Sequence, residues 1–235
     1  MKKTDEPVSF GREQADSYDE RWVKLAPMID GLHFLSRIVL SDLPADGSVL
    51  CVGAGTGSEL IALAQAFPAC SFTAVDPSGA MLDVCRKKAE RAGVLSRCQF
   101  HEGYLNTLAA DKRFDAATSI LVSQFLPKEE ERRSFFREIL RRLNPGSSLI
   151  SADLASPVEP SVYGNLMEFW VRALMYSGFP RETAVASTSR WGHEVAVSKP
   201  KEIEAIMASS GFEYPTLFYQ ALFIHAWHAK VPSHP

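Results

Sequence analysis

The chain has 235 residues, 46% of them hydrophobic and 23% charged, enough for one sizeable core and too short for two comfortable domains. A net charge of −3 and a pI near 6.1 give it no general attraction to nucleic acid or to an anionic membrane surface. No apolar run approaches the ~20 residues of a membrane helix, and the opening MKKTDEPVSF lacks the apolar stretch of a secretory signal, so a cytoplasmic location is expected.

Residues 11–43 carry a helical pattern interrupted at Pro27, with Ile29, Leu32, His33, Leu35, Ile38, Val39 and Leu43 on one broad face. The texture then changes. Strands are expected at 48–52, 71–75, 97–101, 114–120 and 148–152, with helices at 59–67, 79–92 and 128–143 between them. Pro68 stops the first of these helices, Gly93 the second and Asn144-Pro145-Gly146 the third. Such alternation implies a parallel sheet with helices on both faces, a doubly wound α/β fold.

The alternation breaks after residue 155. Residues 156–198 read as an insertion with one helix at about 161–177 and a loop rich in Ser and Thr. A last helix is expected at 201–210. Two closely spaced strand-like runs follow, 216–219 and 222–229, with no room for a crossover, so they must pair as an antiparallel hairpin. The expected sheet therefore has seven strands, in a single domain. Its parts are an N-terminal helical cap (1–43), a core (48–154), a lid insertion (156–198) and a final helix and hairpin (199–230).

Cys51, Cys70, Cys85 and Cys98 form no Cys-x-x-Cys pair and have no His at zinc-ligand spacing. They read as reduced packing residues, and no metal is expected. The helix at 128–143 carries Arg132, Arg133, Arg137, Arg141 and Arg142 among Glu129, Glu130, Glu131 and Glu138, a pattern that suits a solvated face laced by i,i+4 pairs.

The richest signal is Val49-Leu50-Cys51-Val52-Gly53-Ala54-Gly55-Thr56-Gly57, a glycine-rich loop between the first strand and its helix. Glycines there let the backbone turn tightly and approach a ligand without a Cβ clash. Asp76 ends the next strand, where an acid can hydrogen-bond ribose hydroxyls. The loop reads G-x-G-x-G, with Ser58 sixth, and lacks the third glycine of the pyrophosphate-binding pattern.

With these features, residues 48–154 resemble the class I S-adenosylmethionine (SAM)-dependent methyltransferases, a Rossmann-like fold, and the final hairpin resembles that family's sixth and seventh strands. The resemblance implies SAM as cofactor. It implies that Gly53, Ala54, Gly55 and Gly57 line the methionine moiety, that Asp76 holds both ribose hydroxyls, and that Pro77 and Met81 flank the adenine. Gly103, Tyr104 and Leu105 match the segment after the third strand, and Ile120 the stretch beneath the cofactor. Tyr104 stands where the family often has an acid, and Cys51 where many members carry Asp. Ser17-Tyr18-Asp19-Glu20-Arg21-Trp22 resembles the Tyr-Asp element that closes over SAM, which adds Tyr18 to the expected cofactor contacts.

Gln124-Phe125-Leu126, Ser177-Gly178-Phe179 and Gly211-Phe212-Glu213 are similar to segments of the carboxy-SAM synthase branch, which makes a carboxylated SAM derivative for tRNA wobble-uridine modification. Arg190 is the nearest match to that branch's carboxylate-binding Arg, with a short gap allowed. No Asn/Asp-Pro-Pro-Tyr/Phe motif follows the fourth strand, where Ser119-Ile120-Leu121-Val122 stands instead. That disfavours the amino-methylating DNA and glutamine enzymes.

Methyl transfer asks the protein mainly to position and desolvate the acceptor. A base is needed only when the acceptor must lose a proton. No catalytic residue is assigned; His193, Arg190 and Tyr163 are the weak candidates in the lid. The expected activity is methyl transfer to a small-molecule substrate, with neither membrane nor nucleic acid as partner and a homodimer left open. The alternatives are a carboxy-SAM synthase-like enzyme and a SAM-binding protein without transferase activity.

Overall fold

Strand β1 (Ser48–Val52) sends Val49 and Cys51 into one apolar layer and Leu50 and Val52 into another, the period-2 alternation of a strand covered on both faces. In the computed structural model, which describes residues 11, 12, 15, 19, 23–157 and 159–233, this strand is an interior strand of a seven-stranded sheet. The sheet order is β3-β2-β1-β4-β5-β7-β6. The other strands are β2 (Ser71–Asp76), β3 (Cys98–Glu102), β4 (Phe114–Ile120), β5 (Leu143–Leu154), β6 (Glu213–Ala221) and β7 (Ile224–Lys230). The first five pair in parallel, β7 lies antiparallel to β5, and β6 closes the hairpin on β7. The expected doubly wound architecture is present, hairpin included.

Three helices cover one face: α1 (Ala26–Val39), α2 (Ser58–Ala66) and α3 (Gly79–Arg91). They bury Leu40, Leu60, Leu63, Leu82 and Cys85 against Val49, Phe72 and Ile150. On the other face α4 (Glu129–Leu140) and α7 (Pro200–Ser209) bury Phe136, Ile139, Ile203 and Met207 against Leu50, Leu149 and Trp227. Between β5 and α7 the insertion folds as two helices, α5 (Pro160–Tyr176) and α6 (Arg181–Ser187).

Pro27 stands at a break between helical segments, as expected: a 3-10 turn (Val23–Leu25) ends just before it and α1 starts at Ala26. Pro27 sits in the first turn of α1, where its missing N–H is one of the unpaired donors in any case. The structure corrects three readings. The insertion holds a second helix, α6, anchored by buried Ala184; the Ser/Thr run 187–189 concealed it. Strand β5 begins at Leu143, with Gly146 (φ +76) inside the strand's span and not in a closing turn. The basic helix is not solvated throughout. Arg133 and Arg142 pair with Glu129 and Glu138, but Arg142 is buried and Arg132 is 2% exposed and faces inward.

That inward Arg132 meets Asp153, itself fully buried at the end of β5, at 3.5 Å. Ser123, in the turn after β4, donates to both Asp153 oxygens (2.8 and 3.0 Å). Arg132 donates to Ser123 and to Ser198, where the insertion returns to the core. One buried charge pair thus ties β5, α4, the turn after β4 and the base of the insertion together. No helix among the described residues is long and apolar enough to cross a membrane. All four cysteines are free thiols; three are buried and Cys98 is partly so.

Candidate functional site

Parallel strands bring the ends of β1, β2, β4 and β5 to one edge, and the crevice outside those carboxyl ends is the usual binding place of such a sheet. The glycine loop leaves β1 there. Gly53, Gly55 and Gly57 all have φ in the left-handed region (+66, +52 and +80). Space separates their roles. A Cβ on Gly53 would overlap Val122, and one on Gly57 would overlap Sγ of Cys85 on α3. A Cβ on Gly55 meets nothing within 4 Å. Gly53 and Gly57 therefore admit close packing beneath the loop, and Gly55 presents backbone to open space. Ala54 points into the core, and its carbonyl accepts the N–H of Gly57 at 2.8 Å.

Asp76 is buried at the end of β2. Its Oδ2 accepts the N–H of Gly55 at 2.9 Å and its Oδ1 that of Ser78 at 2.8 Å. Burial raises its carboxyl above the ordinary range, against the pull of those two N–H groups. Ser78 caps α3, its Oγ accepting from the N–H of Met81, whose side chain is buried. Pro77 is exposed beside it.

Gly103 follows β3 and donates its N–H to the Asp76 carbonyl at 3.0 Å. Tyr104 is half exposed, and Leu105 turns into the core. At the end of β4, Ile120 packs between the α1–α3 layer and the hairpin. Leu121 follows with φ +59, an unfavourable conformation for a residue with a Cβ, fixed by its N–H to the Ala152 carbonyl at 2.7 Å. This turn brings Val122 against Gly53.

Tyr18 lies outside the described residues. Asp19, next to it, is described. Its Oδ1 accepts from the Thr56 hydroxyl at 2.8 Å and its Oδ2 from Lys88 at 2.6 Å. Asp19 is thus fastened to the glycine loop and to α3.

The insertion packs over the same edge. Trp170, Val171, Leu174, Ala184 and Val195 form one apolar cluster with Leu25 of the N-terminal segment, Leu154 of β5 and Phe223 and Ile224 of the hairpin. Tyr163, Trp170 and Trp191 all set their rings on Phe223, at 5.5, 6.1 and 4.9 Å between centroids. A cleft of about 420 Å³ lies at its base, lined by Ser156, Pro157, Pro160, Tyr163, Val197, Lys199 and Glu202. Of the three candidates for chemistry, only Tyr163 belongs to this assembly. His193 is exposed. Arg190 is half exposed, its Nε bonded to Glu194 at 2.7 Å.

Sequence reasoning missed Glu59. It sits in the first turn of α2 yet is only 8% exposed, and the Thr118 hydroxyl donates to its Oε1 at 3.3 Å. Burial pushes its carboxyl up to about 8. Its place two residues past the last glycine of the loop was the available signal.

The comparisons agree with this geometry. Residues 49–146 match the family model described as a methyltransferase domain. The chain is 32% identical over 123 residues to a release factor glutamine methyltransferase of Chlorobaculum tepidum, covering 51% of this chain and 41% of that one. It is 24% identical over 153 residues to a carboxy-S-adenosyl-L-methionine synthase of Campylobacter lari, covering 65% of this chain and 64% of that one. The chain thus spans less than two thirds of the length of either curated relative. Its fold is similar to that of an O-methyltransferase family protein from Burkholderia thailandensis, with TM-score 0.66 and 15% identity over 99% of this chain and 66% of that one.

SAM is the cofactor that this family implies. Two observations fit it: the loop presents bare backbone at Gly55 where a Cβ would stand, and a buried acid lies beside it at the end of β2. Residues 49–146 thus match a methyltransferase-domain model, and the sheet order, with loop and acid at its edge, is the fold of the class I SAM-dependent methyltransferases.

Proposed function

We propose that the chain is a SAM-dependent methyltransferase acting on a small-molecule acceptor. The carrying observation is the joint between Gly55 and Asp76, which sets bare loop backbone next to an acid whose oxygens keep lone pairs for further donors. SAM supplies the methyl group as an electrophile on a positively charged sulfur.

The chain's own residues bind and enclose. Gly55 and its neighbours hold the amino-acid tail, Asp76 the ribose, and Pro77, Met81 and Tyr104 border the adenine. The turn Ile120-Leu121-Val122 forms the floor. The lid and the N-terminal segment exclude water, which suits a displacement at a charged centre. The cleft beside Tyr163 has the volume of a small-molecule site and a mixed lining, with Pro157, Pro160, Tyr163 and Val197 beside Ser156, Lys199 and Glu202. The negative net charge and the ion-paired Arg residues of α4 favour a small acceptor over a nucleic acid.

A second reading, a carboxy-SAM synthase-like activity, is favoured by the Campylobacter lari relative and opposed by Arg190, whose guanidinium is taken by Glu194 on the surface. Methyl-labelled SAM incubated with the chain and a pool of small hydroxylated and amino acceptors tests the first reading. Label should pass to a small product and not to tRNA. Conversion of SAM to a species heavier by a carboxyl group would favour the second.

A further inference from the structure

Glu59 is a buried acid that the proposed chemistry does not use. Its helix turn begins at the last glycine of the loop, and its side chain folds inward onto Thr118. Thr118 pairs in register with Cys51, so Glu59 lies over the ends of β1 and β4, directly beneath the loop. Carboxylates are rarely buried without a cationic partner. Among the described residues the surroundings supply none that is free. Facing it are the acid Asp76 on β2, the thiols of Cys51 on β1 and Cys85 on α3, and Lys88 on α3. Burial pushes both thiols up, Cys85 to about 12, so neither ionises at neutral pH. Lys88 directs its ammonium to Asp19 at 2.6 Å and Ser58 at 3.0 Å. His33, on α1 near Lys88, is pushed down to about 4 by burial and stays neutral.

We propose that Glu59 is the counter-ion for the ammonium of the cofactor's amino-acid tail, and that it keeps its proton until the cofactor arrives, so that binding expels one proton. The inference rests on the cofactor reading above. Asp76 is already committed in that reading: its oxygens accept two backbone N–H groups and keep their remaining lone pairs for the ribose hydroxyls. Among the described residues Glu59 holds only the Thr118 hydroxyl and its own backbone N–H. In the free protein burial favours the neutral acid. A cation brought within a few ångströms reverses that preference, and the proton leaves to solvent. Ionised Glu59 is also favoured by its place at the positive end of α2.

The test is calorimetric titration of the full chain with S-adenosylhomocysteine, which carries the ammonium, and with 5′-methylthioadenosine, which lacks the amino-acid tail. Each is run at pH 7 in two buffers of different protonation enthalpy. S-adenosylhomocysteine should release close to one proton and methylthioadenosine none. The affinity for S-adenosylhomocysteine should rise ~10-fold per pH unit between pH 6 and 7.5. Glu59→Gln should release no proton and lose that slope. Should Glu59→Gln fail to fold, Thr118→Val serves: losing the hydroxyl should move the pH dependence upward while proton release persists. Equal proton release by the two ligands would point to Asp76 and overturn the proposal, as would tail-bearing ligand bound with no proton released. Failure of S-adenosylhomocysteine and SAM to bind at any pH would overturn the cofactor reading itself, and this inference with it.

Discussion

Gly55 and Asp76, 21 residues apart in sequence, are joined by a hydrogen bond of 2.9 Å from the loop N–H to the Asp76 carboxylate. The acid that ends β2 therefore also sets the shape of the loop that leaves β1. Replacing Asp76 with Ala should weaken S-adenosylhomocysteine binding by about 1.5–3 kcal/mol, the range for hydrogen bonds to a charged acceptor. The melting temperature should fall as well, since the N–H groups of Gly55 and Ser78 lose their partner. Unchanged affinity by calorimetry would assign the ribose to another residue.

The three loop glycines should separate by assay. Gly57→Ala places a methyl where Cys85 Sγ stands, so it should destabilise the fold by about 1–3 kcal/mol in urea denaturation. In Gly55→Val the Cβ meets no atom within 4 Å, and the main cost to the fold is that of a left-handed backbone, about 1–2 kcal/mol. It should instead abolish cofactor binding. If Gly55→Val binds normally, the open side of the loop is not where the cofactor lies.

Glu59 should leave a mark on stability even without ligand. Its folded-state value of about 8 lies above the ordinary 4.5, so the folded chain holds this proton more tightly than the unfolded chain. Its contribution is fully present below about pH 4.5 and is lost as pH rises toward 8. Wild type should lose about 3 kcal/mol relative to Glu59→Gln between pH 5 and 7.5. Taking the difference cancels His33, which is pushed down to about 4 and acts in the opposite sense, costing stability below pH 6.5. Parallel stability curves for the two proteins would mean that Glu59 is ionised throughout.

The pair Arg132–Asp153 should behave as a buried ion pair. Arg132→Ala leaves Asp153 uncompensated in the core and should cost about 3–5 kcal/mol. Replacing both, Arg132→Met with Asp153→Leu, should recover most of that loss. Hydrogen exchange adds a second readout: in Arg132→Ala, amides near Ser198 and Ser123 should exchange faster, because both side chains bond Arg132. Confinement of the change to α4 would remove the link between the insertion and the core.

Much of this was legible in the sequence. The parallel strands were readable because they alternate with helical stretches, β1 as an apolar run stopped by Gly53 and β2 as one stopped by Asp76-Pro77, and the hairpin because its connection is too short to cross over. The glycine loop and Asp76 were readable because their spacing is fixed by one strand-helix-strand unit. What escaped depends on contacts distant in sequence. Arg132 reads as one of five surface arginines until β5 supplies Asp153. Glu59 reads as an ordinary acid in a first helical turn until the fold turns it under the loop. The roles of the glycines separate only once Val122 and Cys85 are in place. Helix α6 is short and held by one buried alanine, too little for a periodic signal.

The most direct test of the account is native mass spectrometry of the full chain mixed with equimolar SAM, S-adenosylhomocysteine and NAD. The account predicts one ligand per chain, SAM or S-adenosylhomocysteine, lost in Gly55→Val and displaced by excess of either but not by NAD. A chain that takes up NAD and neither of the others would contradict it.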